Sequence, residues 1–425
     1  MAIPFRCYYK SRLMKKIIGP FSQIIPMSEL PLNGPLRDED LFILTDAGIK
    51  VDDQGRILAV GPWDAFLAEA DQKTEIEVYA ESMVLLPGLI DAHTHICWGG
   101  SRARDYALRL SGLSYQEIAA QGGGIRDTVK QTRATNQDEL TRLTVGRAQR
   151  LMQGGMTTIE VKSGYGQSVA SELRMLRAIR EADQQVAADL IATALPAHII
   201  PDEFTDQPTA WIEELAHNFF PVVKQEKLAS RADIFVEDHA YNATLAERYM
   251  ELVRSLGLDL TVHADQFSTG GSALAIKYGA VSADHLEASG DREIAALAKS
   301  EVVATALPGA SLGLGIGYTP ARALLDAGCC LAIASDWNPG SAPMGDLLTQ
   351  AALLGVYEKL TLAETLAGIT TRAAHALRLP DRGCLQVGLW ADMVAFPTQD
   401  YRDIVYHQGQ MRPSRVWKAG QPLSL

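Results

Sequence analysis

The chain has 425 residues, of which 47% are hydrophobic and 21% are charged, and its formal net charge at pH 7 is −12. This is an ordinary globular composition, which excludes a disordered or collagen-like chain, and no apolar run is long enough to cross a membrane. The negative charge argues against sequence-independent binding to nucleic acid, because phosphate binding draws on lysine and arginine.

The chain begins with a basic segment. Arg6, Lys10, Arg12, Lys15 and Lys16 precede the first acidic residue, but no apolar stretch with a small-residue cleavage site follows, as a signal peptide requires. We interpret residues 1–20 as an N-terminal extension. The five cysteines are scattered and form no C-x-x-C pair, which favours free thiols in a reducing compartment and predicts a cytoplasmic location.

Short strands are predicted near both ends of the chain. Residues 41–44, 49–51 and 56–60 are β-like, and Asp53-Gln54-Gly55 is a hairpin turn signal between the last two. Residues 388–396 and 416–420 have the same character. The two ends therefore predict a small β-sandwich domain composed of residues 21–86 and 376–425.

The middle of the chain, residues 87–375, alternates apolar runs with segments of helical periodicity. This alternation is typical of repeated βα units and predicts an α/β fold with a closed TIM-type (β/α)8 barrel. The eight runs are Val84–His95, Thr157–Ser163, Leu190–His198, Ile234–His239, Leu258–Gln266, Val281–His285, Val302–Leu307 and Leu331–Asp336.

Metal-ligating residues stand where several of these runs end. His93 and His95 are two residues apart on the first run and therefore face the same side of a strand. His263, His285 and Asp336 close the fifth, sixth and eighth runs, at the end of the barrel that carries the chemistry. Three imidazoles and a carboxylate suit Zn²⁺ or Fe²⁺. We predict one such ion, held by His93, His95, His263 and Asp336; whether His285 also contacts it stays open.

This arrangement resembles the amidohydrolase superfamily over almost the whole chain. Members of that superfamily with two metal ions place a bridging lysine at the end of the fourth strand. Here that strand reads Phe235–His239 without a lysine, and Lys162 follows the second strand instead. The resemblance therefore implies a single metal ion, and it makes His239 a pocket wall rather than a ligand.

Further segments look like the imidazolonepropionase family of histidine degradation. The discriminating pieces are Lys162–Gly166 and Asp336–Gly340, and the resemblance spans roughly residues 20–420. That family hydrolyses 4-imidazolone-5-propanoate to N-formimidoyl-L-glutamate with one Zn or Fe ion. The resemblance implies this activity on a small-molecule substrate, and by analogy a homodimer.

The resemblance also assigns substrate contacts. Arg102 would bind the propionate of the substrate, for which a planar guanidinium is suited. The glycine run 122–124 would be a flap or a tight turn rather than a phosphate cradle, since it follows no strand. The other residues that would contact the substrate or complete its pocket are Tyr115, Tyr165, His198, Asn338, Gly340 and Ser341.

Three residues at the strand ends are the catalytic candidates, and proton transfer falls to two of them, Asp336 and His285. Asp336 can hold the attacking water and accept its proton, and His285 can orient that water or stabilise the developing oxyanion. The sequence departs from many family members at Gln266, where they carry Glu. A glutamine can form hydrogen bonds to substrate but cannot act as a base.

Two other functions fit parts of this pattern. The first is another mononuclear amidohydrolase, such as a guanine or cytosine deaminase, which would share the barrel and the metal ligands. Arg102, with Tyr115 and Tyr165, favours a substrate with a carboxylate tail, which a neutral nucleobase lacks. The second is a non-catalytic scaffold on the same fold, which would have lost ligands, whereas all four predicted ligands are present.

Overall fold

A computed structural model describes residues 15–113, 117–118 and 121–424. Its strands are numbered in chain order. They are β1 (Lys15–Ile24), β2 (Leu44–Asp52), β3 (Ile57–Pro62), β4 (Thr74–Val78), β5 (Val84–Pro87), β6 (Leu89–Asp91), β7 (Met156–Lys162), β8 (Asp189–Ala197), β9 (Arg231–Phe235), β10 (Asp259–Ala264), β11 (Ser282–His285), β12 (Val303–Ala306), β13 (Leu331–Ile333), β14 (Met393–Phe396), β15 (Arg415–Lys418) and β16 (Gln421–Pro422).

The α-helices of the described residues are numbered in the same way. They are α1 (Trp63–Ala68), α2 (Ala103–Leu110), α3 (Ile125–Ala134), α4 (Gln137–Gln153), α5 (Val169–Asp183), α6 (Pro208–Glu214), α7 (Phe220–Gln225), α8 (Ala243–Ser255), α9 (Gly271–Tyr278), α10 (Asp291–Leu297), α11 (Pro308–Leu314), α12 (Ala321–Ala327), α13 (Leu347–Glu358), α14 (Leu362–Gly368), α15 (Thr371–Ala376) and α16 (Arg402–Tyr406). A π-helical turn, Leu215–Phe219, joins α6 to α7.

Strands β6 to β13 form the predicted barrel. They pair in sequence order, and every pair is parallel. The first and last strands meet just beyond their ends, where the Asp336 amide donates to the His93 carbonyl at 3.0 Å and the His95 amide to the Trp337 carbonyl at 3.0 Å. The predicted fold class is thus confirmed, and the residues that close the barrel are neighbours of the predicted ligands.

Local sequence explains where the main barrel helices begin. Asn136, Ser168, Asn242 and Asp346 each stand one residue before a helix and accept a hydrogen bond from a backbone amide of its first turn. Such caps satisfy amides that have no partner inside the helix. The helices then pack an apolar face against the strands, as their predicted periodicity requires.

The remaining strands form a mixed sheet from both chain ends. Its order is β16-β15-β14-β5-β1-β2-β3, with β4 beside β1, and its core includes Phe21 and Trp417. The hairpin predicted at Asp53-Gln54-Gly55 is confirmed by the antiparallel pairing of β2 and β3.

The predicted boundary of the N-terminal extension is too late. Residues 15–20 were expected in the extension but form the first part of β1. Ile17 and Ile18 are fully buried there, and the charge of Lys16 is neutralised by Glu77, 2.5 Å away. The sequence did not indicate a strand here because two lysines, Lys15 and Lys16, precede the apolar pair Ile17-Ile18. The carboxylate that neutralises Lys16, that of Glu77, lies about 60 residues further along the chain.

The first apolar run divides between the two units. Its first part is β5 of the terminal sheet and its second part is β6 of the barrel, with Gly88 between them. A Cβ atom at Gly88 would collide with the side chain of Thr157, so only glycine lets the chain pass this closely to β7. Among the described residues, no helix is long and apolar enough to cross a membrane.

Candidate active site

The ring nitrogens of three predicted ligands converge at the carboxyl ends of the barrel strands. The Nε2 atom of His95 lies 3.3 Å from Nε2 of His93 and 3.3 Å from Nε2 of His263. The Oδ1 atom of Asp336 lies 3.5 Å from Nε2 of His93 and 3.4 Å from Nε2 of His95. All four side chains are buried, so the fold brings together the residues that the sequence nominated as one metal site.

Carboxylates stand on the far side of two of these rings. The Nδ1 atom of His93 lies 2.7 Å from Oδ2 of Asp284, and Nδ1 of His263 lies 3.0 Å from Oδ2 of Asp233. A carboxylate can only accept, which places the ring proton on Nδ1 and leaves the lone pair on Nε2. Burial also lowers the pKa of His93 and His95 well below the ordinary value, so both rings are neutral.

This donor set fits a divalent cation. With their Nδ1 atoms facing carboxylates, His93 and His263 both direct an Nε2 lone pair at Nε2 of His95 across 3.3 Å, and a single hydrogen on that atom cannot satisfy both pairs. A cation does so, and three imidazole nitrogens with one carboxylate oxygen are typical ligands of Zn²⁺ and Fe²⁺. His93, His95, His263 and Asp336 would hold the ion.

His285 lies beside these four ligands, and one of its ring nitrogens is close to nitrogens of two of them. Its ring centroid is 5.4 Å from that of His263, and the nitrogens of His93, His263 and His285 all lie within 4.8 Å of one another. Burial alone would lower the pKa of His285, but the Glu287 carboxylate, 3.5 Å from Nδ1, outweighs it and raises the pKa. The acidic neighbours of His285 therefore favour its protonated form, which can donate a hydrogen bond beside the ligand group.

Backbone geometry aims two of these side chains at the cavity. Asp336 and His285 both have a positive φ, at 49° and 87°, which non-glycine residues seldom adopt. The amide of Asp336 is fixed by the His93 carbonyl at 3.0 Å, and the carbonyl of His285 accepts from the Thr319 hydroxyl at 2.5 Å. Strained backbone held by hydrogen bonds on both sides is typical of functional sites. Burial raises the pKa of the Asp336 carboxyl.

A cavity of about 690 Å³ opens above the ligand group. Several predicted substrate contacts lie in its wall, together with apolar side chains that the sequence did not nominate. The described residues from the prediction that line it are Arg102, Tyr165, His198, Gln266, Asn338, Gly340 and Ser341. Tyr115 lies outside the described residues.

Arg102 is held in the cavity wall by side chains of two helices, Asp105 of α2 and Thr128 of α3. Its Nε donates to the carboxylate of Asp105, and Nη1 donates to the Thr128 hydroxyl at 3.2 Å. Asp105 in turn accepts from the backbone amide of Gly124 at 2.9 Å. A Cβ atom at Gly123 would clash with Asp105, so glycine is needed where this segment passes the ion pair. The segment is a tight turn that contacts Asp105, and a tight turn was one of the two predicted forms.

Tyr165 and His198 form an aromatic wall beside the ligands. The rings of His95 and His198 stack with centroids 5.4 Å apart at 22°, and Tyr165 lies 5.8 Å from His95. His198 donates from Nδ1 to the Gly164 carbonyl at 3.2 Å, which leaves Nε2 as an acceptor. Burial lowers the pKa of His198 to about 3, so this ring is also neutral.

The loop after β13 is organised by Asn338. Its Nδ2 donates to the Asp336 carbonyl at 2.8 Å, and its Oδ1 accepts from the amides of Gly340 and Ser341 at 2.8 Å each. Asn338 was expected to complete the pocket; its amide is largely occupied within the loop, so it shapes the wall that Gly340 and Ser341 present. Arg109 ties the same loop down by donating to the Gly340 carbonyl at 3.0 Å.

Gln266 is nearly buried at 9% exposure and lines the cavity. Its neighbour Asp265 points elsewhere and accepts from the Ser272 amide at 3.1 Å and the Ser289 hydroxyl at 2.8 Å. Exposed His239 also lies in the cavity wall, packed against Phe235 and Phe267, which agrees with its interpretation as a wall residue.

Sequence reasoning missed the groups that support the ligands. Asp233 and Asp284 were not nominated, and Lys162 was noted only as absent from the expected place. A signal was available, because charged residues inside fully buried parallel strands are rare and need partners. Which partner each one has depends on strand order and stagger, which the sequence does not state.

Comparison with known proteins agrees with this geometry. A family model described as amidohydrolase family matches residues 121–423. The imidazolonepropionase of Symbiobacterium thermophilum is 39% identical over 410 residues, covering 95% of this chain and 96% of its own length. That of Deinococcus radiodurans is 41% identical over 397 residues, covering 92% and 96%.

Solved structures show the same fold at low identity. A zinc complex of atrazine chlorohydrolase from Arthrobacter aurescens matches with a TM-score of 0.72 at 19% identity, covering 96% of this chain and 95% of that one. An adenosine deaminase from Xanthomonas campestris with bound zinc matches with a TM-score of 0.69 at 20% identity, covering 96% and 92%.

Proposed function

The chain belongs to the imidazolonepropionase family of the amidohydrolases, and from this membership we propose how its cavity performs the family's reaction. The enzyme is a hydrolase that opens the carbon–nitrogen bond of a cyclic amide. Its substrate is 4-imidazolone-5-propanoate and its product N-formimidoyl-L-glutamate. The observation that carries the mechanism is that Arg102 lines the same cavity as three of the four ligands, His95, His263 and Asp336.

In this proposal, one divalent ion, Zn or Fe, would be held by His93, His95, His263 and Asp336. When bound, the ion supplies Lewis-acid chemistry, lowering the pKa of water toward neutrality and polarising a carbonyl group. His93 and His263 need little rearrangement to present their Nε2 atoms, because Asp284 and Asp233 stand behind their rings at Nδ1.

Asp336 is the proton carrier of the reaction. Water adds its oxygen to the ring carbonyl carbon, and its proton passes to a carboxylate oxygen of Asp336. Cleavage of the ring carbon–nitrogen bond leaves an electron pair on nitrogen, which takes the proton back from Asp336.

His285 stabilises the charge that develops on the carbonyl oxygen. Glu287 favours the protonated ring, and a protonated imidazole donates to an oxyanion. Gln266 lies in the same wall and contributes a hydrogen bond without exchanging a proton, because an amide does not titrate.

Arg102 binds the propionate of the substrate. Asp105 and Thr128 orient its guanidinium, so little conformational entropy is lost when the carboxylate binds. Tyr165 and His198 pack against the ring of the substrate, and Gly340 and Ser341 form the loop side of the pocket. A neutral nucleobase, which would be the substrate of a deaminase, has no carboxylate for this arginine to bind. The deaminase is therefore the weaker alternative. Homodimerisation and a cytoplasmic location stay predictions.

An ultraviolet assay with freshly generated 4-imidazolone-5-propanoate tests the proposal, with metal analysis of the same preparation and guanine as the control substrate. We expect rapid loss of the imidazolone, no reaction of guanine, and about one ion per chain. Chelation should abolish turnover, and restoration by Zn²⁺ or Fe²⁺ in separate samples shows which ion supports it.

A preparation that binds the ion but leaves the imidazolone unchanged would contradict the proposed substrate. Turnover that persists after complete chelation would contradict the metal ligands. Guanine turnover at a comparable rate would favour the deaminase.

A further inference from the structure

Lys162 is a fully buried lysine directly beneath the ligand group. Its side chain is 1% exposed, and its Nζ atom lies 2.8 Å from Oε1 of Glu160, 2.8 Å from Oδ2 of Asp233 and 4.0 Å from Oδ2 of Asp284. It contacts no proposed ligand directly, so the role of a bridging ligand does not apply to it. Nevertheless, an ammonium group placed this deeply requires a reason, since desolvating it is costly.

Two of its three carboxylates are those behind the metal-facing rings. The same Oδ2 of Asp233 that lies 2.8 Å from Lys162 lies 3.0 Å from Nδ1 of His263. The same Oδ2 of Asp284 that faces Lys162 lies 2.7 Å from Nδ1 of His93. One ammonium is therefore shared by two carboxylate–imidazole pairs on different strands.

The charges make this arrangement interdependent. Asp233 on β9 and Asp284 on β11 place their Oδ2 atoms 2.8 Å and 4.0 Å from the same Nζ atom of Lys162. Like charges in a buried site repel strongly unless a cation lies between them. Burial would lower the pKa of Lys162, but Asp233 and Glu160 outweigh it and raise that pKa above its ordinary value, so the cation persists.

We propose that Lys162 is a positioning residue, which holds Asp233 and Asp284 in place and through them fixes the rings of His263 and His93 toward the metal ion. This rests on the proposed metal site. Glu160 has a different part, since its Oε2 accepts from the amide of Thr94, between His93 and His95, at 3.2 Å. It contacts Lys162 without contacting a ligand ring.

The test compares the affinity for Zn²⁺ of the full-length wild type and of Lys162→Met, measured by competition with a chromophoric chelator. Loss of outer partners of metal ligands commonly weakens metal binding about 10- to 100-fold, and we expect a weakening in this range. The visible spectrum of the Co²⁺-loaded protein should change as well, since it reports ligand geometry independently of activity.

Lys418→Met is the matched control. Lys418 is also an ammonium between two aspartates, 2.8 Å from Asp189 and 2.6 Å from Asp392, but it lies at the opposite end of the barrel. The Lys418→Met substitution should lower the melting temperature of the metal-free protein and leave the Zn²⁺ affinity and the Co²⁺ spectrum unchanged.

A second variant covers the case in which Lys162→Met does not fold. The double variant Lys162→Met/Glu160→Gln removes one buried charge of each sign and keeps an acceptor for Thr94. If Lys162 positions the two aspartates, this variant recovers stability but still binds Zn²⁺ at least tenfold more weakly than the wild type. Wild-type affinity in either variant would overturn the inference.

The two failures are distinguishable. A wild-type protein that takes up no Zn²⁺ contradicts the proposed function itself. A wild-type protein that binds one ion, with equal affinity in the Lys162 variants, contradicts only the role of Lys162.

Discussion

The two ends of the barrel both contain a lysine between aspartates, with different surroundings. At the carboxyl ends of the strands, Lys162 faces Asp233 and Asp284, whose oxygens also face histidine rings below a cavity. At the opposite end, Lys418 bridges Asp189 of the barrel and Asp392 of the terminal sheet.

The difference lies in what the carboxylates do besides pairing with lysine. Asp392 accepts from the Ala419 amide at 2.9 Å, and Asp189 also receives Arg382, so that cluster fastens the two units of the protein together. The cluster at the cavity orients rings that converge on one point. Equal side-chain chemistry thus supports stability at one end and metal binding at the other, as is general for such barrels.

The largest effect is expected at the cavity end, from Asp336→Asn. An asparagine keeps the shape but cannot accept and return a proton, and it is a poorer metal ligand. We expect turnover to fall by about 10²- to 10⁴-fold with a nearly unchanged melting temperature. Steady-state kinetics and thermal melts check this, with exposed Asp326→Asn as the control. A near-normal rate would exclude Asp336 as the proton carrier.

Arg102→Ala should cost on the order of 2–4 kcal/mol in kcat/KM, because it removes a charged contact to the propionate. The neighbouring exposed residue gives a matched control, Arg104→Ala, which should keep wild-type kinetics. Measurement with the propionate substrate and with an analogue lacking the carboxylate sharpens the test. With the analogue, the variant and the wild type should have the same kcat/KM. An equal decrease in kcat/KM for both compounds would mean that Arg102 supports the fold of the cavity wall instead of binding the propionate.

At the opposite end, Lys418→Met should lower the free energy of unfolding by about 1–3 kcal/mol, discounted from a fully buried pair because Asp189 is partly exposed. Its kcat/KM should stay that of the wild type. Denaturant unfolding and kinetics on one preparation check both. A loss of activity without a loss of stability would break the distinction between the two ends.

The same variant has a predicted pH dependence. Burial alone would raise the pKa of Asp189, but Lys418 and Arg382 outweigh it and hold the pKa below its ordinary value. A lowered carboxyl pKa stabilises the fold above the unfolded pKa of about 4, and this contribution disappears as the pH falls through the folded pKa. The difference in free energy of unfolding between wild type and Lys418→Met should therefore be largest near pH 7 and should decrease below pH of about 4.

The smallest effect is expected for Gln266→Ala. Removal of one neutral hydrogen bond to substrate should cost about 1 kcal/mol in kcat/KM, mainly through KM. Separate determination of kcat and KM checks this. A fall in kcat as large as that of Asp336→Asn would instead make Gln266 essential to the chemical step.

Much of the architecture followed from the sequence because its signals are local. Strand ends such as His93–His95 and caps such as Asn136 and Ser168 depend on residues a few positions apart. The predicted extension failed at residues 15–20, because Lys16 finds its counterion on Glu77 only after folding. Asn338 was assigned to the pocket and lines it, and its side-chain amide also holds its own loop.

The sequence by itself determined the barrel, the terminal sheet and the residues that meet at the strand ends, because alternation of strands and helices fixes which ends face the same way. Only the tertiary structure decided that Lys162 serves Asp233 and Asp284, that Asp105 holds Arg102, and that Lys418 joins two units. The order and stagger of the strands determine which charged side chains lie close enough to pair. Order and stagger are properties of the assembled sheet rather than of any one segment.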